Sequence, residues 1–155
     1  MTARRQLPRG PVLVDASFVL ALLDDDRDAG RFADVLSRAA ITAINYGEVL
    51  HTLHDLAGLS PEQVEFDLAA TGLTVHPVDG ADALRFPELR RLDAKARRAA
   101  GVGAAGGLSL GDVCCLARAW STGLPVLTGD KHWLAVAAAG LPVPVFDFRA
   151  ADLRT

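Results

Sequence analysis

A chain of 155 residues, half of them apolar, has the size of one ordinary domain and can bury a complete core without disulfides or a structural zinc. Its net charge of −3 excludes a protein that grips nucleic acid through bulk positive charge alone. The two cysteines, Cys114 and Cys115, are adjacent, which excludes a usual disulfide framework and a C-x-x-C metal pair and fits a reducing compartment.

Residues 1–11 are polar and basic, with Arg4, Arg5 and Arg9, and are expected as a flexible arm ahead of a single domain. Residues 12–14 form a short β-branched run expected as a buried strand, and residues 17–23 continue as a helix into Asp24-Asp25-Asp26. The apolar stretch from 12 to 23 is interrupted by Asp15 and Ser17 and is too short to span a bilayer. The expected location is therefore the cytoplasm, with no membrane association. A helix near 31–39 leads to a brief strand at 41–42. The next helix is expected to start at Asn45 as N-cap, with Glu48 three residues on completing a capping-box spacing, and to end at Gly58. Ser60-Pro61-Glu62-Gln63 opens another helix that Gly72 ends, and residues 73–78 read as a strand.

Residues 80–100 are helical in pattern, interrupted near Pro87. The glycine- and alanine-rich stretch 101–107 reads as a flexible loop, after which Ser109 caps a helix through Trp120. Residues 125–128 form a strand, 131–139 a helix and 143–148 a final strand. Apolar runs that alternate with helical patterns are the signature of an α/β fold around a parallel sheet.

Four acids fall at element boundaries. Asp15 follows the first strand and Asp130 the strand near 125–128, while Glu48 and Asp112 are placed in first turns of helices. In an open parallel sheet, ligands bind beyond the carboxyl ends of the strands, so these positions share one rim. Each acid taken singly has an ordinary reading, as a cap, a first-turn charge or a turn residue. Asp15 is the hardest to dismiss, because a charge ending an apolar strand costs energy without a partner. Four converging carboxylates repel one another unless a hard divalent ion binds them. Mg²⁺ or Mn²⁺ held there would activate water for phosphodiester hydrolysis.

These motifs resemble the PIN domain, and more narrowly the VapC-type toxins of bacterial toxin–antitoxin pairs. The opening Val12-Leu13-Val14-Asp15-Ala16-Ser17 is similar to the family's first motif, and the run from Ile41 to Leu50 around Glu48 to its second. The most specific match runs from Gly107-Leu108-Ser109-Leu110-Gly111-Asp112 to Leu124-Pro125-Val126-Leu127-Thr128-Gly129-Asp130. The resemblance implies a three-layer α/β sandwich, with a central parallel sheet and helices on both faces, usually as a homodimer. It implies a Mg²⁺- or Mn²⁺-dependent endoribonuclease with Asp15, Glu48, Asp112 and Asp130 as catalytic and metal-binding acids. Ser17 and Thr128 match hydroxyl positions beside them. The implied partner is a small antitoxin that covers the acidic site.

Among the basic residues, Arg91, Lys95 and Arg98 recur at helical spacing and, with Lys131, are candidates to contact RNA; a solvated face is the plainer reading. The Glu48/His51 spacing of di-iron bundles occurs once, in the wrong fold pattern. His54 and His76 read as surface or partly buried structural residues, Cys114 and Cys115 as core fillers, and Trp120, Trp133, Phe18 and Phe32 as packing or dimer residues rather than base-stacking platforms. The rival from another class is a PIN-like domain that binds RNA or a partner without cutting. A haloacid-type phosphatase is disfavoured because Ser17 stands where its second acid belongs.

Overall fold

The computed structural model describes residues 5–101 and 106–154. Five short strands, β1 (Val12–Val14), β2 (Ala39–Thr42), β3 (Thr74–His76), β4 (Val126–Thr128) and β5 (Val145–Asp147), form one sheet in the order β3-β2-β1-β4-β5. Every pairing is parallel. β1 is the central strand, in register with Ala39 and Ala40 on one side and with Val126 and Leu127 on the other.

Alternation along these strands divides the core in two. Val12, Val14, Ile41, Leu127 and Phe146 face a cluster with α1 (Ala16–Leu23), α3 (Ala43–Ala57) and α4 (Pro61–Ala70), the short α2 (Arg27–Gly30) lying beside α1. Leu13, Ala40, Val126 and Val145 face a second cluster with α6 (Phe86–Ala100), α7 (Leu110–Thr122) and α8 (Lys131–Ala138). The expected three-layer arrangement is therefore the observed one. The small helix α5 (Gly80–Ala83) is tied to α7 through Arg118, 3.4 Å from both Asp79 and the buried Asp82.

Several boundaries differ from the sequence reading for identifiable reasons. The span 31–39 is not one helix but a 3₁₀ turn, Ala33–Arg38, that gives way to β2 at Ala39. Two alanines carry no β signal, yet each is buried on one face of a strand covered on both sides. β3 stops at His76 because Pro77 lacks the N–H a ladder needs. The helix expected to begin at Asn45 begins at Ala43, with Thr42 as its cap accepting from the Asn45 N–H.

Residues 1–4 of the expected arm lie outside the described residues, and so do residues 102–105 of the expected loop. From Gln6 onward the arm is docked. Leu7 is fully buried, its N–H donates to the Arg154 carbonyl at 2.8 Å, and Gln6 bridges Arg154. Arg38 donates to the carbonyls of Pro8 and Gly10.

Candidate metal centre

Parallel strands put all their carboxyl ends on one rim. Helices α1, α3 and α8 follow β1, β2 and β4 directly and so start there. α7 runs back toward the start of β4, so its N-terminus lies at the same rim. Three of the four sequence-predicted acids sit at these starts. Asp15 caps α1 and accepts the Phe18 N–H at 3.1 Å; Asp130 caps α8 and accepts the His132 N–H at 2.9 Å. Asp112 is the third residue of α7 and closes a reciprocal box with Ser109, whose N–H it accepts at 2.9 Å. Glu48 is the correction: with Thr42 as cap it stands in the second turn of α3 and forms no capping box.

Two hydroxyls join the strand-end acids. Thr128 donates to Asp15 at 2.7 Å and accepts the Asp130 N–H at 3.0 Å, so one side chain spans both aspartates. Ser17 donates to Asp15 at 2.8 Å and accepts the Gly129 N–H at 3.2 Å. The parallel register of β1 with β4 makes this possible, since the residues after the Val14–Leu127 pair meet side by side. On the far side, Asn45 accepts from Thr42 at 2.6 Å and donates to the Gly111 carbonyl at 3.3 Å and to Glu48 at 3.4 Å. A Cβ at 111 would overlap the Glu48 carboxylate, so a side chain there would displace Glu48 from this position.

Burial decides the electrostatics. Asp15 is only 5% exposed, and its carboxyl is pushed up to about 6. Loss of solvent is the main cause; bonds from Thr128, Ser17 and the Phe18 N–H pull the other way, and the Asp112 charge adds to the rise. The Asp112 carboxyl is raised too, chiefly by burial and then by Asp130, against the Ser109 bonds and His132. Cys115, beneath them in the core, is held as a neutral thiol by burial and by the nearby Asp15 and Asp112 charges.

The donor chemistry is all oxygen and net negative, which suits a hard cation. Among the described residues, no three His, Cys, Asp or Glu side chains already stand together as a ligand set. Asp112 and Asp130 instead accept N–H groups of their own helices. Mg²⁺ keeps several waters and is commonly held by only one or two carboxylates. The Asp112 charge is felt at Asp15, so these two carboxylates are the pair that such an ion would need.

The family model for the PIN domain matches residues 12–139. The chain belongs to the PIN domain family. Among solved structures it is similar to a chain of the DNA-bound VapBC from Salmonella typhimurium, at 20% identity and a TM-score of 0.61, covering 90% of this chain and 98% of that one. A toxin–antitoxin complex from Klebsiella pneumoniae gives 20% identity, a TM-score of 0.63 and coverages of 88% and 97%. VapBC-5 from Mycobacterium tuberculosis gives 23%, 0.55, 89% and 98%. At these identities the likeness speaks for the fold. A search of curated proteins by sequence returned no match.

The remaining candidates of this PIN domain take varied places. Lys131 is exposed in the first turn of α8, next to Asp130. Arg91 is paired with Glu88, Lys95 donates to the Ala139 carbonyl at the end of α8, and Arg98 is exposed near the end of α6. His51 pairs with Asp55 rather than with Glu48, and His54 meets the Leu59 carbonyl. Phe18 packs edge-on against Phe148, Trp133 is fully buried, and Trp120 lies under the Arg85 guanidinium. Arg149, missed in the sequence, stacks on Phe148 beside Gly129 and pairs with Asp26. Asp93 was missed as well, because an acid among arginines on a helix reads as a solvated ion pair.

Proposed function

We propose that this PIN domain is a divalent-metal-dependent endoribonuclease, the toxin component of a type II toxin–antitoxin system. The observation that carries the reading is the Thr128 bridge: one hydroxyl at the rim binds the carboxylate of the buried Asp15 and the backbone N–H of the exposed Asp130, 115 positions apart in the chain. Asp15, Glu48, Asp112 and Asp130 would hold Mg²⁺ or Mn²⁺, with Ser17 and Thr128 orienting Asp15. When bound, the ion supplies activation of water and neutralisation of charge developing on the phosphodiester. The protein's own share is to fix the carboxylates. A buried, hydrogen-bonded Asp15 cannot swing away, and the exposed Asp130 side leaves the rim open to a nucleic acid strand. Lys131, which follows Asp130 in the chain and is exposed, is the first choice for a phosphate contact; Arg91, Lys95 and Arg98 would act further out.

The antitoxin proposal has a surface of its own. A groove of about 490 Å³ between α1, α3 and α4 is lined by Leu20, Leu23, Leu53, Leu56, Leu59 and Val64. Leu56 is 84% exposed and Phe66, on α4, 72%. Apolar exposure of this kind marks protein interaction sites, and the apolar face of a small antitoxin helix would fill it. We further propose the homodimer that the family resemblance implies and the cytoplasmic location expected from the sequence; among the described residues no helix is long and apolar enough to cross a membrane.

The second reading, an RNA- or partner-binding domain that does not cut, is favoured by the carboxylates' engagement with their own backbones. RNA cleavage with and without Mn²⁺ decides between them. Wild type should cut only with the ion, and Asp15→Asn should lower the rate at least about a hundredfold, at about 1.4 kcal/mol per tenfold. Expression of wild type should arrest bacterial growth where Asp15→Asn at equal level does not. A broad RNA panel left intact by the metal-loaded wild type sinks the nuclease reading.

A further inference from the structure

Helix α6 carries a buried acid that faces the centre without belonging to it. Asp93 is 2% exposed, and a carboxylate so placed requires partners. One oxygen accepts the Leu108 N–H at 3.2 Å. The other lies 2.7 Å from His132 Nε2 and 3.7 Å from Arg97 Nε. Arg90, one turn earlier, donates to the Leu108 carbonyl at 2.7 Å. α6 thus grips both polar groups of a single peptide residue, and Gly107 permits the approach, since a Cβ there would come within 3.0 Å of Asp93.

Both gripped segments lead to acids of the centre. Leu108 precedes Ser109, whose N–H is bonded to Asp112. His132 is the residue whose own N–H is bonded to Asp130. Asp93 is therefore one step removed from two carboxylates that stand on different helices, and it holds both steps at once. We infer that Asp93, seconded by Arg90, is a positioning residue that sets the spacing between Asp112 and Asp130 for the ion. The inference rests on the metal-dependent reading above. It assigns to α6 a part in ion affinity that its distance from the rim conceals.

The test is calorimetric titration of RNA-free protein with Mn²⁺, paired with steady-state cleavage. Asp93→Ala should raise the Mn²⁺ dissociation constant at least tenfold and lower kcat at fixed Mn²⁺, with KM for RNA within twofold of wild type. Asp93→Asn, whose amide oxygen still accepts the Leu108 N–H, should recover part of the affinity. Arg90→Met keeps the stem over α6, should fold as wild type, and should weaken Mn²⁺ severalfold; it decides the matter if Asp93→Ala does not fold. A purely structural role would lower the melting temperature while the folded variants bound Mn²⁺ as wild type does, and that result overturns the inference alone. A wild type that takes up no Mn²⁺ overturns the metal reading itself, and this inference with it.

Discussion

The β1–α1 and β4–α8 turns are built alike and behave differently. In each, a short parallel strand ends in an aspartate that caps the following helix and accepts a backbone N–H. Asp15 lies at the central strand, enclosed by Thr128, Ser17 and Phe18, and its carboxyl rises to about 6. Asp130 lies one strand outward and is exposed. The capping chemistry is the same; the number of neighbouring strands and helices is not. Position in the sheet, rather than the turn itself, creates a carboxylate whose charge is costly to hold in the fold.

The largest effect expected from this contrast is on stability without metal. A folded carboxyl raised from 3.8 to about 6 favours the native state least when ionised. Stability is therefore fully present below pH 4 and is lost as pH rises through 6, by up to about 3 kcal/mol. Asp15→Asn should remove that loss. In urea unfolding of the metal-free protein the variant should gain up to about 3 kcal/mol at pH 7 and little at pH 4. A variant less stable than wild type at pH 7 would show that burial of the charge is not what raises Asp15.

Next in size is Thr128→Val, which serves both turns. It removes a donor to Asp15 and an acceptor for the Asp130 N–H, and should cost about 2 kcal/mol at neutral pH. Followed by NMR, the Asp15 carboxyl should titrate higher still in the variant; an unmoved titration would mean that the hydroxyl does not bond the charged form.

The smallest effect should come from Asp130→Asn. Asparagine caps about as well as aspartate, and the site is exposed, so unfolding free energy should change by no more than about 0.5 kcal/mol. A larger loss, measured in the same urea series, would erase the distinction between the two turns.

The same contrast explains what could be read in advance. Asp15 and Asp130 were legible because a charge or a Gly-Asp pair interrupts an apolar run, and strand ends in a parallel sheet share a rim. Asp112 was legible as a first-turn acid behind the Ser109 cap, and the structure closes that turn into a reciprocal box. Glu48 was found for the wrong local reason. Asn45 looks like a cap, but β2 feeds straight into α3, so Thr42 takes that duty and Asn45 turns to Glu48 and Gly111. Asp93 could not be found, because its partners at 108 and 132 are brought to it only by the packing of α6 against α7 and α8. Local pattern shows which residues end elements; it does not show which buried group holds two ends together.

The pairing of β1 with β4 also orders events in time. The Thr128 hydroxyl that fixes Asp15 is made 113 residues after it. Contacts this distant form late, after their loops have closed. Until β4 has been synthesised and has docked, the first aspartate has neither its strand neighbour nor the second aspartate opposite. A nascent chain therefore carries an unfinished centre until those 113 residues have been added. If the centre cuts RNA, the messenger and ribosome producing it are spared until β4 has docked, and a product that stops before Thr128 is harmless.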